Sequence, residues 1–302
     1  MWVGGVICAL LLVGAAILFA VTRPSAPGQL ASPAQSLSYL GVYERDTVGS
    51  YAPENAFTAA TGVRPNVIMY YSTWKEPFQR GFATLAAQHG ATPLVQIDPT
   101  GVSLSAIAAG DYDSYLTSYA AAVRAYGRPV ILSFGHEMNG YWYSWGDRKT
   151  SPAVFVAAWR HIVSLFRGLR ATNVTWLWTV NIVDTDGGIP SPALWWPGGS
   201  YVNWVGIDGY YYNPSWQFTS LFGQTIVDVR ALTRDPILIA ETGAAAASQP
   251  AKIADLFNGI RLYGLLGFVW FDANAAEDWR LSSGAAFAAM RRGARMYYRP
   301  AS

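Results

Sequence analysis

The sequence predicts a single α/β domain folded as a (β/α)8 barrel, the TIM-barrel architecture, and three observations predict it. Eight short apolar runs recur along the chain: YLGVY from Tyr39, NVIMYY from Asn66, PLVQID from Pro93, PVILSFG from Pro129, VTWLWTV from Val174, NWVGIDGY from Asn203, PILIA from Pro236 and GFVWF from Gly267. Their spacing is close to the roughly 30 residues of one strand-plus-helix unit. Stretches of helical period lie between them, as in PAVFVAAWRHIVSLFRGLR from Pro152 and in residues 250–263. A doubly wound sheet fits less well, because it usually has fewer strands and no G-x-G-x-x-G follows the first run.

Composition narrows the classes of function. The 302 residues would divide into two average domains, but barrels of this kind commonly form one unit of about 200 to 250 residues. With 52% hydrophobic and only 13% charged residues, the chain is neither disordered nor solvating. Twenty-one Lys and Arg against nineteen Asp and Glu leave a charge of +2, too little for a surface that tracks phosphates, so nucleic acid is not an expected partner. The 13 Trp and 18 Tyr exceed ordinary core filling and suit a groove for an extended ligand, with sugars the first candidate.

Residues 1–21 carry no charged side chain and approach the roughly 20 residues that a helix needs to cross a bilayer. A membrane-entering helix is therefore expected over residues 1–22, as a signal anchor or a signal peptide. The missing basic start and the missing small-x-small site favour an uncleaved anchor. Residues 23–38, including SAPGQLASPAQSLS from Ser25, read as a flexible linker, and residues 39–302 as the barrel domain. The single cysteine, Cys8, precedes the body, which leaves the body without a disulfide or a cysteine-based metal site.

Strand parity sorts the polar residues. In the fourth run Val130, Leu132 and Phe134 share one face, while Ile131, Ser133, Gly135 and Glu137 share the other, taken as the lumen face. In the sixth run Gly206, Asp208 and Tyr210 share a face, and in the seventh Ile237, Ile239 and Glu241 do. Active sites of this architecture gather at the carboxyl ends of the strands. Of six glutamates, Glu137 and Glu241 stand out there, and Glu44 at the end of the first run is the rival. A lone glutamate at a strand end is usually a loop or salt-bridge residue. Two facing each other are what retaining glycoside hydrolysis needs, an acid for the leaving oxygen and a nucleophile about 5 to 5.5 Å away for the sugar carbon. Two of the three histidines, His89 and His161, fall in helical stretches, so no metal and no cofactor is expected.

SFGHEMNGYWYSWG (133–146) resembles the acid/base segment of glycoside hydrolase family 26, mainly β-mannanases with some mixed-linkage β-glucanases and xylanases. VGIDGY (205–210), LIAETG (238–243) and FVWFD (268–272) follow in the family's order, and the resemblance covers about residues 39–292. It implies a retaining, endo-acting enzyme on β-linked polysaccharide, with Glu137 as acid/base and Glu241 as nucleophile. It further implies that His136 orients the acid, Tyr210 hydrogen-bonds the nucleophile, Trp270 lies under the attacked sugar and Trp142 beside the leaving sugar. Asp208 reaches the same space as Tyr210. Each has a structural alternative: Trp270 as filling of the barrel top, Asp208 as a structural hydrogen bond, His136 as a buried histidine that takes no proton. Asn139 and Gly140 are expected to shape the loop.

β-1,4-Mannan is the first substrate expectation, with β-1,3-1,4-glucan or xylan as alternatives, because the third run ends on Gln96 and Asp98 where mannan-cleaving members usually offer another histidine. Trp74, Tyr141, Tyr143, Trp145, Trp195, Trp196 and Tyr210 to Tyr212 are further aromatic candidates, about half of which should be core. The alternative from another class is a membrane-tethered, non-catalytic carbohydrate-binding protein, against which the presence of both glutamates counts. An extracytoplasmic monomer, anchored or secreted, completes the expectation.

Overall fold

The computed structural model describes residues 36–45, 47–184 and 186–300. Eight parallel strands close into one barrel in chain order. They are β1 Tyr39–Glu44, β2 Val67–Thr73, β3 Thr92–Asp98, β4 Val130–Phe134, β5 Val174–Asn181, β6 Trp204–Asp208, β7 Ile237–Thr242 and β8 Gly267–Asp272. Each of the eight apolar runs became a strand. Around them lie α1 Ala52–Thr61, α2 Arg80–Gln88, α3 Leu104–Ala109, α4 Asp113–Tyr126, α5 Pro152–Gly168, α6 Phe218–Leu232, α7 Gln249–Tyr263 and α8 Gly284–Tyr297.

The helices follow from local chemistry. Ser151 caps α5 by accepting from the Val154 amide, Pro152 occupies its first turn, and Phe155, Trp159, Ile162, Val163 and Phe166 recur at helical spacing on its buried face. Burying each such side chain contributes on the order of 1.5 to 3 kcal/mol. Among the described residues no α-helix joins β5 to β6. Two short 3-10 turns take its place, because residues 182–203 hold Gly187, Gly188, Pro190, Pro192, Pro197, Gly198 and Gly199, which cannot sustain a helix.

Two apolar layers result. Val67, Met69, Leu94, Ile131, Leu177, Leu238, Ala240, Val269 and Phe271 fill the lumen. Val130, Leu132, Phe134, Val205, Ile207, Ile237, Ile239 and Trp270 face outward, into the core between strands and helices. Parity therefore holds in β4 and β6. In β7 it does not: Leu238 and Ala240 are the lumen residues, and Ile237 and Ile239 lie outside. The pairing of β7 slips between Ile239 and Thr242, so that Asp208 is registered with Glu241 although Ile207 is registered with Ile239. This bulge re-aims Glu241 into the lumen, which simple alternation would not do from the Leu238 and Ala240 side.

Residues before Tyr39 already pack on the barrel. Leu37 is buried and bridges to Tyr298, its amide donating to the Tyr297 carbonyl at 2.9 Å, so the expected linker ends two residues early. The expected membrane-entering helix at 1–22 lies outside the described residues. Among the described residues no helix is long and apolar enough to cross a membrane.

Candidate active site

The segment after β4 is built to hold one carboxylate in place. Gly135 and Glu137 both take left-handed backbone conformations, with φ of 55° and 54°. That is unusual for a glutamate and is retained where surroundings fix it. Here the Glu137 amide donates to the Thr179 carbonyl at 2.9 Å, and its own carbonyl accepts from Gly140 at 2.8 Å. The Trp142 indole donates to Glu137 Oε2 at 2.7 Å, and the Asn181 amide at the end of β5 donates to Oε1. Gly140 makes this possible, since a Cβ there would stand 2.3 Å from the Trp142 ring. Asn139 exchanges hydrogen bonds with the Asn181 backbone, accepting at 2.9 Å and donating at 3.0 Å, so Asn139 and Gly140 shape the loop as expected.

The second carboxylate, Glu241, is held between two phenols. Tyr71 on β2 donates to Oε1 at 2.5 Å and Tyr210, just past β6, to Oε2 at 2.8 Å. Burial pushes the Glu241 carboxyl up, the His136 cation pulls it down, the Glu137 charge pushes it up and the two phenols pull it down, for a net position at about 7. Burial, and then the negative charge of Glu241, raise both phenols well above their ordinary value, so they remain donors.

His136 was expected to orient Glu137. Instead its Nδ1 faces Asp98 Oδ1 at 3.0 Å and its Nε2 lies 3.1 Å from the Tyr143 hydroxyl. Burial disfavours its charge, but the Asp98 carboxylate outweighs that and, with Glu241 and Glu137 nearby, raises the imidazole to about 9. The direction of the shift favours the imidazolium, whose ring nitrogens face Asp98 and Tyr143 rather than Glu137. Asp208 is fully buried beside Glu241, its registered partner on β7. Burial, and then Glu241 and Glu137, raise it well above the carboxylate range, against a backbone hydrogen bond from Glu241 that lowers it.

Trp270 is a correction. It is fully buried in the outer core, with its indole on the Trp279 carbonyl at 3.2 Å, because the alternation of β8 turns Val269 and Phe271 into the lumen and Trp270 out of it. Trp279, from the loop after β8, lines the cavity that Trp270 does not reach, tilted against Tyr210 with ring centroids 4.9 Å apart and meeting Tyr212 edge-on at 5.0 Å.

Glu137, Trp142, Tyr210 and Glu241 meet on the wall of one cavity of about 480 Å³, which Tyr71, Tyr143, Asn181, Tyr212, Trp216, Phe271 and Trp279 complete. Trp74, Trp145, Trp195 and Tyr211 are buried in the core. A larger groove of about 590 Å³ beside α4 has neither glutamate on its wall. Sequence reasoning missed Tyr71, Asn181, Trp216 and Trp279. Tyr71 and Asn181 carried a signal, since alternation from Met69 and from Leu177 puts both on the lumen face at strand ends. The two tryptophans lie in loops, where no periodicity marks them.

The chain has relatives. Endoglucanase H of Acetivibrio thermocellus is 32% identical over 256 residues, which are 78% of this chain and 28% of that protein. Mannan endo-1,4-beta-mannosidase A and B of Caldalkalibacillus mannanilyticus is 28% identical over 95 residues, 29% of this chain and 18% of that protein. The chain thus spans less than a third of the length of either. Among solved structures, Bacillus subtilis mannanase BCman superposes with a TM-score of 0.67 at 17% identity, covering 89% of this chain and 88% of that one, which shows a shared fold. The model of glycosyl hydrolase family 26 matches residues 80–286, a span that holds both glutamates, and the chain belongs to that family.

Proposed function

We propose that the protein is a retaining, endo-acting glycoside hydrolase of β-linked polysaccharide. The observation that carries this reading is the pair of buried glutamates on one cavity wall, each gripped by its own two donors. Glu241 attacks the anomeric carbon while Glu137 gives its proton to the departing glycosidic oxygen, leaving a covalent glycosyl-Glu241 ester. Glu137, now ionised, takes a proton from the water that attacks the same carbon, and the sugar leaves with its configuration retained. Tyr71, Tyr210 and the His136 cation favour the ionised form that Glu241 needs, and Trp142 and Asn181 hold Glu137 toward the leaving group.

β-1,4-Mannan is the first substrate, in keeping with the mannan-named relative. A β-glucan is the second reading. The much longer match to a protein named Endoglucanase H favours it, as does a β3 end carrying Gln96 and Asp98 in place of a second histidine. We further propose that cleavage takes place outside the cytoplasm, with a monomeric body delivered by residues 1–22 as anchor or signal peptide, the uncharged run from Met1 to Val21 being what supports it. Incubation with mannan, mixed-linkage glucan and xylan, with reducing ends measured, should give new ends on at least one. Binding without cleavage would favour the non-catalytic alternative. Proton NMR of the first product should show the β-anomer, and an inverted product would remove the nucleophile role.

A further inference from the structure

The charge of the chain is small in sum but separated along the barrel. Because all eight strands are parallel, their amino ends share one rim, opposite the rim that carries Glu137 and Glu241. Six connections run from a helix into a strand at this amino-terminal rim: residues 62–66, 89–91, 127–129, 169–173, 233–236 and 264–266. They hold four exposed arginines, Arg64, Arg128, Arg170 and Arg234, and a single carboxylate, Asp235, whose Oδ2 accepts from the Thr233 hydroxyl at 2.7 Å. Arg295 in the last turn of α8 and Arg299 just past it are exposed at the same rim. Carboxylates gather at the opposite rim, where Glu76, Asp98, Asp147, Asp184 and Asp278 join the two glutamates of the cavity.

Helix dipoles account for part of this, since a cation in the last turn of a helix offsets its negative end. They do not account for Arg64, Arg128, Arg170 and Arg234, each of which lies one or two residues beyond the residue that caps its helix. Among the described residues the ion pairs fall on His136, Arg148, His161 and Arg280, so no carboxylate neutralises the six guanidiniums. Six like charges on one rim repel, and an anionic partner relieves that repulsion. A cavity of about 380 Å³ opens within the rim, with Arg64, Asn66, His89, Arg295 and Tyr298 on its wall. The planar guanidinium fork suits phosphate oxygens.

The chain itself points to the source of the phosphate. Leu37 bridges to Tyr298, the Ser38 amide donates to the Leu266 carbonyl at 2.9 Å, and the Arg299 amide donates to the Leu37 carbonyl at 2.8 Å. The residues that precede the barrel therefore join it at its basic end. We propose that this amino-terminal rim docks on the phosphate headgroups of an anionic bilayer, one of them seated between Arg64 and Arg295, with the mouth that holds Glu137 and Glu241 turned away toward polysaccharide. The docking rests on the proposed delivery to a membrane by residues 1–22, not on the hydrolase chemistry. Exposed charges separated by more than about 10 Å are largely screened at ordinary ionic strength, so the docking needs close contact and is lost in concentrated salt.

The test reconstitutes the full-length protein in vesicles of phosphatidylcholine alone and of phosphatidylcholine with phosphatidylglycerol at three to one. Phenylglyoxal labels exposed arginines, and mass spectrometry maps the labelled positions. In the anionic vesicles the six rim arginines should label about threefold more slowly or less, an effect that about 1 M salt removes. Arg80 and Arg148, exposed at the opposite rim, should label alike in both lipids. Arg64→Gln combined with Arg295→Gln should return the other four rim arginines toward their rate in neutral lipid and leave polysaccharide cleavage unchanged. Equal rim labelling in the two lipids, protection that survives 1 M salt, or equal slowing at Arg80 and Arg148 overturns the docking. Protection by soluble polyphosphate but not by the anionic vesicles overturns it in favour of a soluble polyanion. Flotation separates the two readings: a protein that does not float with neutral vesicles removes delivery by residues 1–22, whereas one that floats with both vesicles and labels alike removes the docking alone.

Discussion

Glu241 is placed at about 7 by opposing influences: burial and the Glu137 charge act against ionisation, and the His136 cation and two phenols act for it. The nucleophile must be ionised, so kcat/KM should rise with pH through about 7. Tyr71→Phe removes a donor that favours the charged form, and should move this acid limb to higher pH and cost more at pH 6 than at pH 8. A pH–rate profile on an activated aryl bioside reads this, and an unshifted limb would take Tyr71 out of the account. Glu241→Ala should abolish turnover on every substrate. Glu137→Ala should lower kcat/KM on polysaccharide by about 10² to 10⁴, yet spare the first step on dinitrophenyl glycosides, which leave without a proton. Much of this chemistry was legible in the residues: the two glutamates, Tyr210 and Trp142 lie where the strand ends and the 133–146 motif put them. The buried charge relation of His136 to Asp98 was not, since it joins the ends of β3 and β4 across the barrel rim and only packing reveals it.

At the scale of the element, the loop after β4 depends on a glycine and β7 on a slipped register. Gly140→Ala would put a Cβ 2.3 Å from the Trp142 ring. Overpacking of this kind costs typically about 1 to 3 kcal/mol. The ring should swing off Glu137, lowering activity on polysaccharide more than on activated aryl glycosides and exposing the indole to collisional quenchers. Unchanged tryptophan quenching with unchanged kinetics would contradict that role. Eight strands were readable because parallel strands buried on both faces appear as continuous apolar runs. The bulge in β7 was not, because alternation assumes an unbroken ladder, and it turns Glu241 to the lumen side of Leu238 and Ala240 instead of the side of Ile239. Trp270 failed for a related reason: an aromatic at a strand end says nothing of which face it takes, and the loop holding Trp279 has no period to read.

Over the whole molecule, the buried acids act in one direction. Burial first, with neighbouring carboxylates, raises Glu44 to about 9, Glu241 to about 7 and Asp272 to about 6, burial alone raises Glu54 to about 7, and Asp98 raises His136 to about 9 against its own burial. A raised folded-state pKa gives stability that is complete below the unfolded value and is lost as pH rises through the folded one. The thermal midpoint should therefore fall between pH 5 and pH 9, as calorimetry would show, and a midpoint that rises across this range contradicts the assignment of these groups as proton-holding. Because the barrel closes entirely within residues 37–299, the body from residue 36 should keep both this midpoint and its activity. What all scales serve is the placing of Glu241 behind the anomeric carbon. The most direct measurement is peptide mapping by mass spectrometry after inactivation with a 2,4-dinitrophenyl 2-deoxy-2-fluoro-β-glycobioside of whichever sugar the polysaccharide panel identifies. A single glycosyl adduct on the peptide at Glu241 is the expected result; an adduct on Glu137, or turnover with no adduct at all, would contradict the double displacement.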